Sequence, residues 1–90
     1  MKIEMYSKDF CQFCTKAEAL LNERGLPFTT IKIASPQAKE DLLERVETSG
    51  GVPPRTVPQI FIDDNHIGGY TDLVAWFSAQ DGITQLSAES

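Results

Sequence analysis

Cysteine is scarce here: two in ninety residues, beside a single histidine and a single tryptophan. A disulfide-stapled secreted domain of this size usually carries four cysteines or more. A bridge between two cysteines only three positions apart closes too short a loop to stabilise the chain much. Basic residues are also few. Eight Lys and Arg face 13 Asp and Glu, a net charge of −5 with no basic run. Binding to nucleic acid requires a basic patch, so it is not expected. No apolar stretch approaches the roughly 20 residues of a membrane span. The opening Met1-Lys2-Ile3-Glu4-Met5 is broken by charge and does not read as a signal peptide. A cytoplasmic location without membrane contact is the expectation.

Composition is otherwise that of one globular domain, 41% hydrophobic and 23% charged. Residues 2–6 alternate polar and apolar and predict a strand. Residues 7–10 predict a loop. A helix is expected from Gln12 to Arg24, with Ala17, Leu20 and Leu21 facing the core and Gly25 as its stop. Residues 28–33, rich in aromatic and β-branched side chains, predict a second strand. Ser35 before Pro36 is a helix start. That helix is expected to reach Thr48 and to bury Ala38, Leu42, Leu43 and Val46. Residues 50–54 predict a loop.

Residues 59–63 predict a third strand, with Asp64-Asn65 as the turn and His66-Ile67-Gly68 as the return. A third helix is expected over 71–79, burying Leu73, Trp76 and Phe77. The order is β-α-β-α-β-β-α, an α/β fold. A parallel β-α-β unit followed by an antiparallel hairpin implies a mixed four-stranded sheet with three helices. Residues 1–80 form the domain, and 81–90 read as a weakly structured tail.

Cys11-Gln12-Phe13-Cys14 falls where the first strand gives way to the first helix. The first turn of a helix presents unpaired N–H groups and partial positive charge. A thiolate there is stabilised, which makes Cys11 the expected nucleophile. Cys14, one turn further in, is the expected resolving thiol. A Cys-x-x-Cys can also be half of a zinc site or simple apolar packing. Zinc needs four ligands, and the one other soft candidate is His66. The β-α-β context favours redox chemistry.

Three motifs give the chain its resemblance to the glutaredoxins. They are Tyr6-Ser7-Lys8 with Cys11-Gln12-Phe13-Cys14, then Thr56-Val57-Pro58-Gln59-Ile60-Phe61, then Gly68-Gly69-Tyr70-Thr71-Asp72. The resemblance covers about residues 1–80. It implies a thioredoxin-like fold with a cis Val57–Pro58 bond facing the cysteines. It also implies a glutathione-dependent enzyme that reduces protein disulfides and glutathione mixed disulfides. Glutathione is the expected co-substrate and no metal is expected. Gln12 and Phe13 stand where the family usually has proline and tyrosine. The change at Gln12 leaves the redox potential open and removes one obstacle to a cluster held between subunits.

The chemistry of glutathione suits these motifs. Lys8 can pair with the glycyl carboxylate. Thr56, Val57 and Pro58 form the strand edge that the tripeptide would join, through the backbone of Val57. The amides of Thr71 and Asp72 suit the γ-glutamyl carboxylate, and the Asp72 side chain its ammonium. Gly69 admits the ligand close to the backbone; Phe13 keeps an aromatic surface beside the thiolate, and the resemblance implies that it and Tyr70 are among the glutathione-binding residues. Blander roles stay open. Lys8 and Arg55 are also ordinary solvated cations, Thr71 and Asp72 helix caps, Gly68-Gly69 a bend, and His66 a hairpin surface residue. Disulfide-bearing proteins are the expected partners, with ribonucleotide reductase as one candidate, and the chain is expected to act as a monomer. Two other readings fit part of the pattern: a redoxin fed by thioredoxin reductase, and a [2Fe-2S] carrier dimer ligated by Cys11 and glutathione.

Overall fold

A computed structural model describes residues 1–51, 54 and 56–89, with side chains as far as Gln80. Among these residues the order is β1 (Ile3–Ser7), α1 (Gln12–Glu23), β2 (Thr29–Lys32), α2 (Pro36–Thr48), β3 (Gln59–Ile62), β4 (Asn65–Gly68) and α3 (Tyr70–Glu89). The strands form one sheet in the order β2-β1-β3-β4. β1 and β2 run parallel, with Tyr6 opposite Ile31. β1 and β3, and β3 and β4, run antiparallel. The expected mixed sheet and element order are present.

Alternation along the strands builds two cores. Ile3 and Met5 of β1 and Ile60 and Ile62 of β3 point to one face. There they meet Ala17 and Leu21 of α1 and Leu73 and Phe77 of α3. Tyr6 and Phe61, one position out of phase, point to the other face and meet Leu42 and Val46 of α2. Side chains in a strand alternate faces, so one sheet serves both layers. Trp76 packs against the first core while remaining partly exposed.

Several details differ from the sequence reading. Leu43 is 37% exposed and Ala38 only half-buried, because Leu42 and Val46, four apart, already fill the stripe facing the sheet. The hairpin turn is Asp63-Asp64, at φ 50° and 67°, not Asp64-Asn65. Ile62 must face the core with Ile60, and its pairing with Asn65 leaves two residues between the strands. The left-handed conformation that such a turn needs is one that Asp tolerates. The tail also differs: the backbone stays helical to Glu89. No proline interrupts 80–89, so the i to i−4 ladder can continue past the expected end at residue 79. Of the expected loop 50–54, Val52 and Pro53 lie outside the described residues.

Candidate active site

The site forms where three segments converge at one end of the sheet. The first is the entrance to α1. Cys11 is the N-cap, with extended backbone at φ −102°, ψ 108°. Its Sγ accepts the backbone N–H of Cys14 at 3.1 Å. Here a sulfur does what Ser, Thr or Asp usually does at a helix start. A sulfur so placed gains from the helix terminus when it carries charge. Cys11 and Cys14 are joined in a disulfide, with Cα atoms 5.2 Å apart. Their exposures differ: Cys11 is partly open, and Cys14 is 2% exposed. Only the first offers its sulfur to an incoming group.

The second segment is the loop entering β3. Val57–Pro58 is cis, as the resemblance implied. The Val57 carbonyl oxygen lies 3.6 Å from Cys11 Sγ. Pro58 and Gln59 are buried. The Gln59 amide Nε2 donates to the Thr56 carbonyl at 2.9 Å. Its Oε1 lies 2.7 Å from His66 Nε2. Because that oxygen can only accept, His66 Nε2 carries the proton. Burial holds the His66 pKa below its ordinary value of 6.5, with the Asp72 charge pulling the other way. The histidine is thus a groove residue with a defined partner rather than a bare surface residue of the hairpin. The sequence signal for it was weak, because Gln59 and His66 sit on different strands.

The third segment is the β4–α3 junction. Gly68 has φ +122°, and a Cβ there would collide with the Asp72 carboxylate. Asp72 Oδ2 accepts the Gly69 N–H at 2.9 Å. That is one half of a capping box, with Asp72 at the third helical position. The first-turn amides of Tyr70, Thr71 and Asp72 face outward from this end, as in any helix start.

A groove of about 510 Å³ joins the second and third segments to the wall of α1. Phe13 and Tyr70 both line it, and their rings touch, with centroids 6.1 Å apart. Thr56, Val57, Pro58, Gly69, Thr71 and Asp72 also line it, as do Gly68, Gln59 and His66, which the sequence reading had not assigned. Lys8 does not. It lines a separate depression of about 410 Å³ with Cys11 and Cys14. The lysine leaves β1 before the loop that turns into Cys11, so it reaches the flank of the cysteines rather than the groove. Arg55 lies outside the described residues. Among those described, no group of three or more His, Cys, Asp or Glu is placed to hold a metal ion, and no helix is long and apolar enough to cross a membrane.

The site therefore pairs one accessible and one buried sulfur beside a groove with aromatic walls and a helix start. Comparison with known proteins adds to this. The glutaredoxin family model matches residues 3–67. Glutaredoxin 3 of Escherichia coli K12 is 42% identical over 84 residues, covering 93% of this chain and 94% of that one. Glutaredoxin 1 of Francisella tularensis, solved with cacodylate, superposes with a TM-score of 0.70 at 34% identity, over 92% of this chain and 96% of that one. A buckwheat glutaredoxin–glutathione complex gives 0.69 at 26% identity, over 89% of this chain and 69% of that one.

Proposed function

The chain belongs to the glutaredoxin family, and from that premise we propose how its residues divide the work. It is a glutathione-dependent thiol–disulfide oxidoreductase. In the proposed cycle the Cys11 thiolate attacks the glutathione sulfur of a mixed disulfide. A Cys11–glutathione bond forms, the original S–S bond breaks, and the substrate thiolate leaves with the electron pair. A second glutathione then attacks the bound one, releasing oxidised glutathione and the Cys11 thiolate. With a protein disulfide, the Cys11 thiolate attacks one sulfur and the other leaves as a thiolate; Cys14 then attacks Cys11 in that mixed disulfide, releasing the second substrate thiolate and leaving Cys11–Cys14 oxidised. Two glutathiones return the pair to the dithiol and leave joined as oxidised glutathione.

One observation carries the assignment. Cys11 is partly exposed at the N-cap of α1 and its Sγ accepts the Cys14 N–H at 3.1 Å, while Cys14 is 2% exposed. Exchange needs an accessible thiolate and rewards one whose pKa sits near ambient pH. We assign glutathione to the 510 Å³ groove. Its backbone would lie along Val57, its γ-glutamyl carboxylate at the start of α3, and its ammonium near Asp72. Such a groove favours glutathione over a reductase-fed redoxin. The Lys8 contact to the glycyl carboxylate would need that end of the ligand to leave the groove past Cys11. Groove and cysteines belong to one chain, which supports action as a monomer. A dithiol that must be kept reduced supports a cytoplasmic setting. Ribonucleotide reductase remains one candidate partner, on the resemblance alone.

The test is glutathione-coupled reduction of a small mixed disulfide. Cys11→Ser is expected to abolish it, and Cys14→Ser to retain a substantial part. Equal loss in both would overturn the division of roles.

A further inference from the structure

Phe10 precedes the nucleophile, and two of its properties are unusual. Its ring is fully exposed, at 106% of the reference area. Its backbone has φ +58°, a conformation that bulky L-residues rarely adopt. In the same turn Asp9 makes a surface ion pair with Lys32 at 3.1 Å. A sequence that needed only a turn here would use Gly or Asn, which accept this conformation readily. Instead it holds a large apolar ring in water beside the reacting sulfur. Strain and apolar exposure together at such a place point to a partner.

We infer that Phe10 is a docking residue for protein disulfides, packing against an apolar side chain next to the substrate cysteine. This rests on Cys11 being the nucleophile. The chemistry identifies the occupant. During exchange the Cys11 thiolate bonds to a substrate cysteine sulfur, the substrate's own S–S bond breaks, and the departing sulfur takes the electron pair and then a proton from solvent. The substrate's polypeptide is at that moment tethered to Cys11. Its neighbouring residue lies one Cα step, about 3.8 Å, from the tethered cysteine, and so does Phe10 from Cys11. The depression that Phe10 lines holds about 410 Å³ and shares no lining residue with the glutathione groove. Its charges balance, Lys8 and Lys32 against Asp9 and Glu18, so no net charge attracts or repels the substrate there and Phe10 is the large apolar side chain it offers. Glutathione seated within the other groove touches none of the residues that line this depression.

The test uses the full chain with glutathione and two cyclic peptides, each closed by one disulfide. They are identical except that leucine or serine flanks the cysteines. The mixed disulfide of glutathione and 2-mercaptoethanol is the third substrate. The chain as it stands should prefer the leucine peptide by roughly tenfold in kcat/KM, about 1.4 kcal/mol. Phe10→Gly should reduce that preference to less than twofold and change kcat/KM for the small mixed disulfide by less than twofold. Phe10→Asn, which also tolerates positive φ, should behave like Phe10→Gly; if it keeps the leucine preference, the ring is not the docking element. A preference that survives in Phe10→Gly, or equal loss on all three substrates, would overturn the inference. Absence of activity on every substrate before any substitution would instead overturn the reading of Cys11.

Discussion

At the residue scale, the structural demand in the Gly68-Gly69 pair falls on Gly68. A Cβ at Gly69 would meet the Pro58 carbonyl at 3.5 Å, an ordinary contact. At Gly68 it would meet the Asp72 carboxylate, on a backbone at φ +122°. Gly68→Ala therefore combines a disfavoured conformation with a collision. The expected cost is roughly 2–3 kcal/mol, a fall in Tm on the order of 10–20 °C for a domain of this size. Thermal unfolding followed by circular dichroism measures it. Gly69→Ala should fall by less than half as much. Equal falls would show that the pair acts only as a flexible bend. Adjacent glycines look alike in a sequence; what separates them is the carboxylate of a residue four positions later.

At the scale of elements, much was legible and the rest has physical causes. The alternation Ile3–Met5 against Tyr6, and the stripes Ala17–Leu21 and Leu42–Val46, gave the strands, the helices and their order, because burial has the period of each element. The helix-entrance reading of Cys11 also held in the geometry of its N-cap. The hairpin turn was misplaced by one residue because Asp63, Asp64 and Asn65 all accept left-handed backbone, and only the register of Ile62 chooses among them. The placement of Lys8 and the Gln59–His66 contact depend on how loops and neighbouring strands meet in space, which periodicity does not encode. The sequence allows two readings of the start of α3, capping or ligand binding, and the structure shows the capping bond. Asp72→Asn separates them. The amide oxygen still accepts the Gly69 N–H, so stability should change by about 0.5 kcal/mol or less. The ammonium of glutathione would lose a carboxylate, and KM for glutathione disulfides should rise roughly fivefold, equivalent to about 1 kcal/mol at an exposed site. An unchanged KM at nearly unchanged Tm would leave Asp72 as a cap alone.

At the scale of the whole molecule, the two faces of the sheet carry different tasks. α1 and α3 share one face and supply the cysteine pair and the start of the groove's helical wall. α2 covers the other face and holds none of the groove residues. What fixes α2 there, beyond Leu42 and Val46, is Arg45. Its guanidinium lies over the Phe61 ring at 4.1 Å from the centroid. It donates to Glu4 at 2.9 Å, to Asp64 at 3.3 Å and to the Tyr6 hydroxyl at 3.1 Å. One side chain thus ties α2 to β1, β3 and the hairpin turn. Burial acts to lower the Arg45 pKa, but the bonds to Glu4 and Tyr6 outweigh it and the net direction is up. The Arg45 and Glu4 side chains are only 25% and 20% exposed, so removing one partner leaves the other partly desolvated. Arg45→Met should keep the packing on Phe61 yet cost about 1–2 kcal/mol, because Glu4 then keeps only the longer Lys2 pair, at 3.9 Å. Adding Glu4→Gln should recover most of that loss, since the poorly compensated charge is then gone. Denaturant unfolding of the two single variants and the double variant measures the coupling. In all three, kcat/KM on the small mixed disulfide should stay within about twofold of the starting chain. A larger kinetic change at unchanged fold would mean that the α2 face communicates with Cys11 through β1, whose last residue, Ser7, lies four positions before the nucleophile.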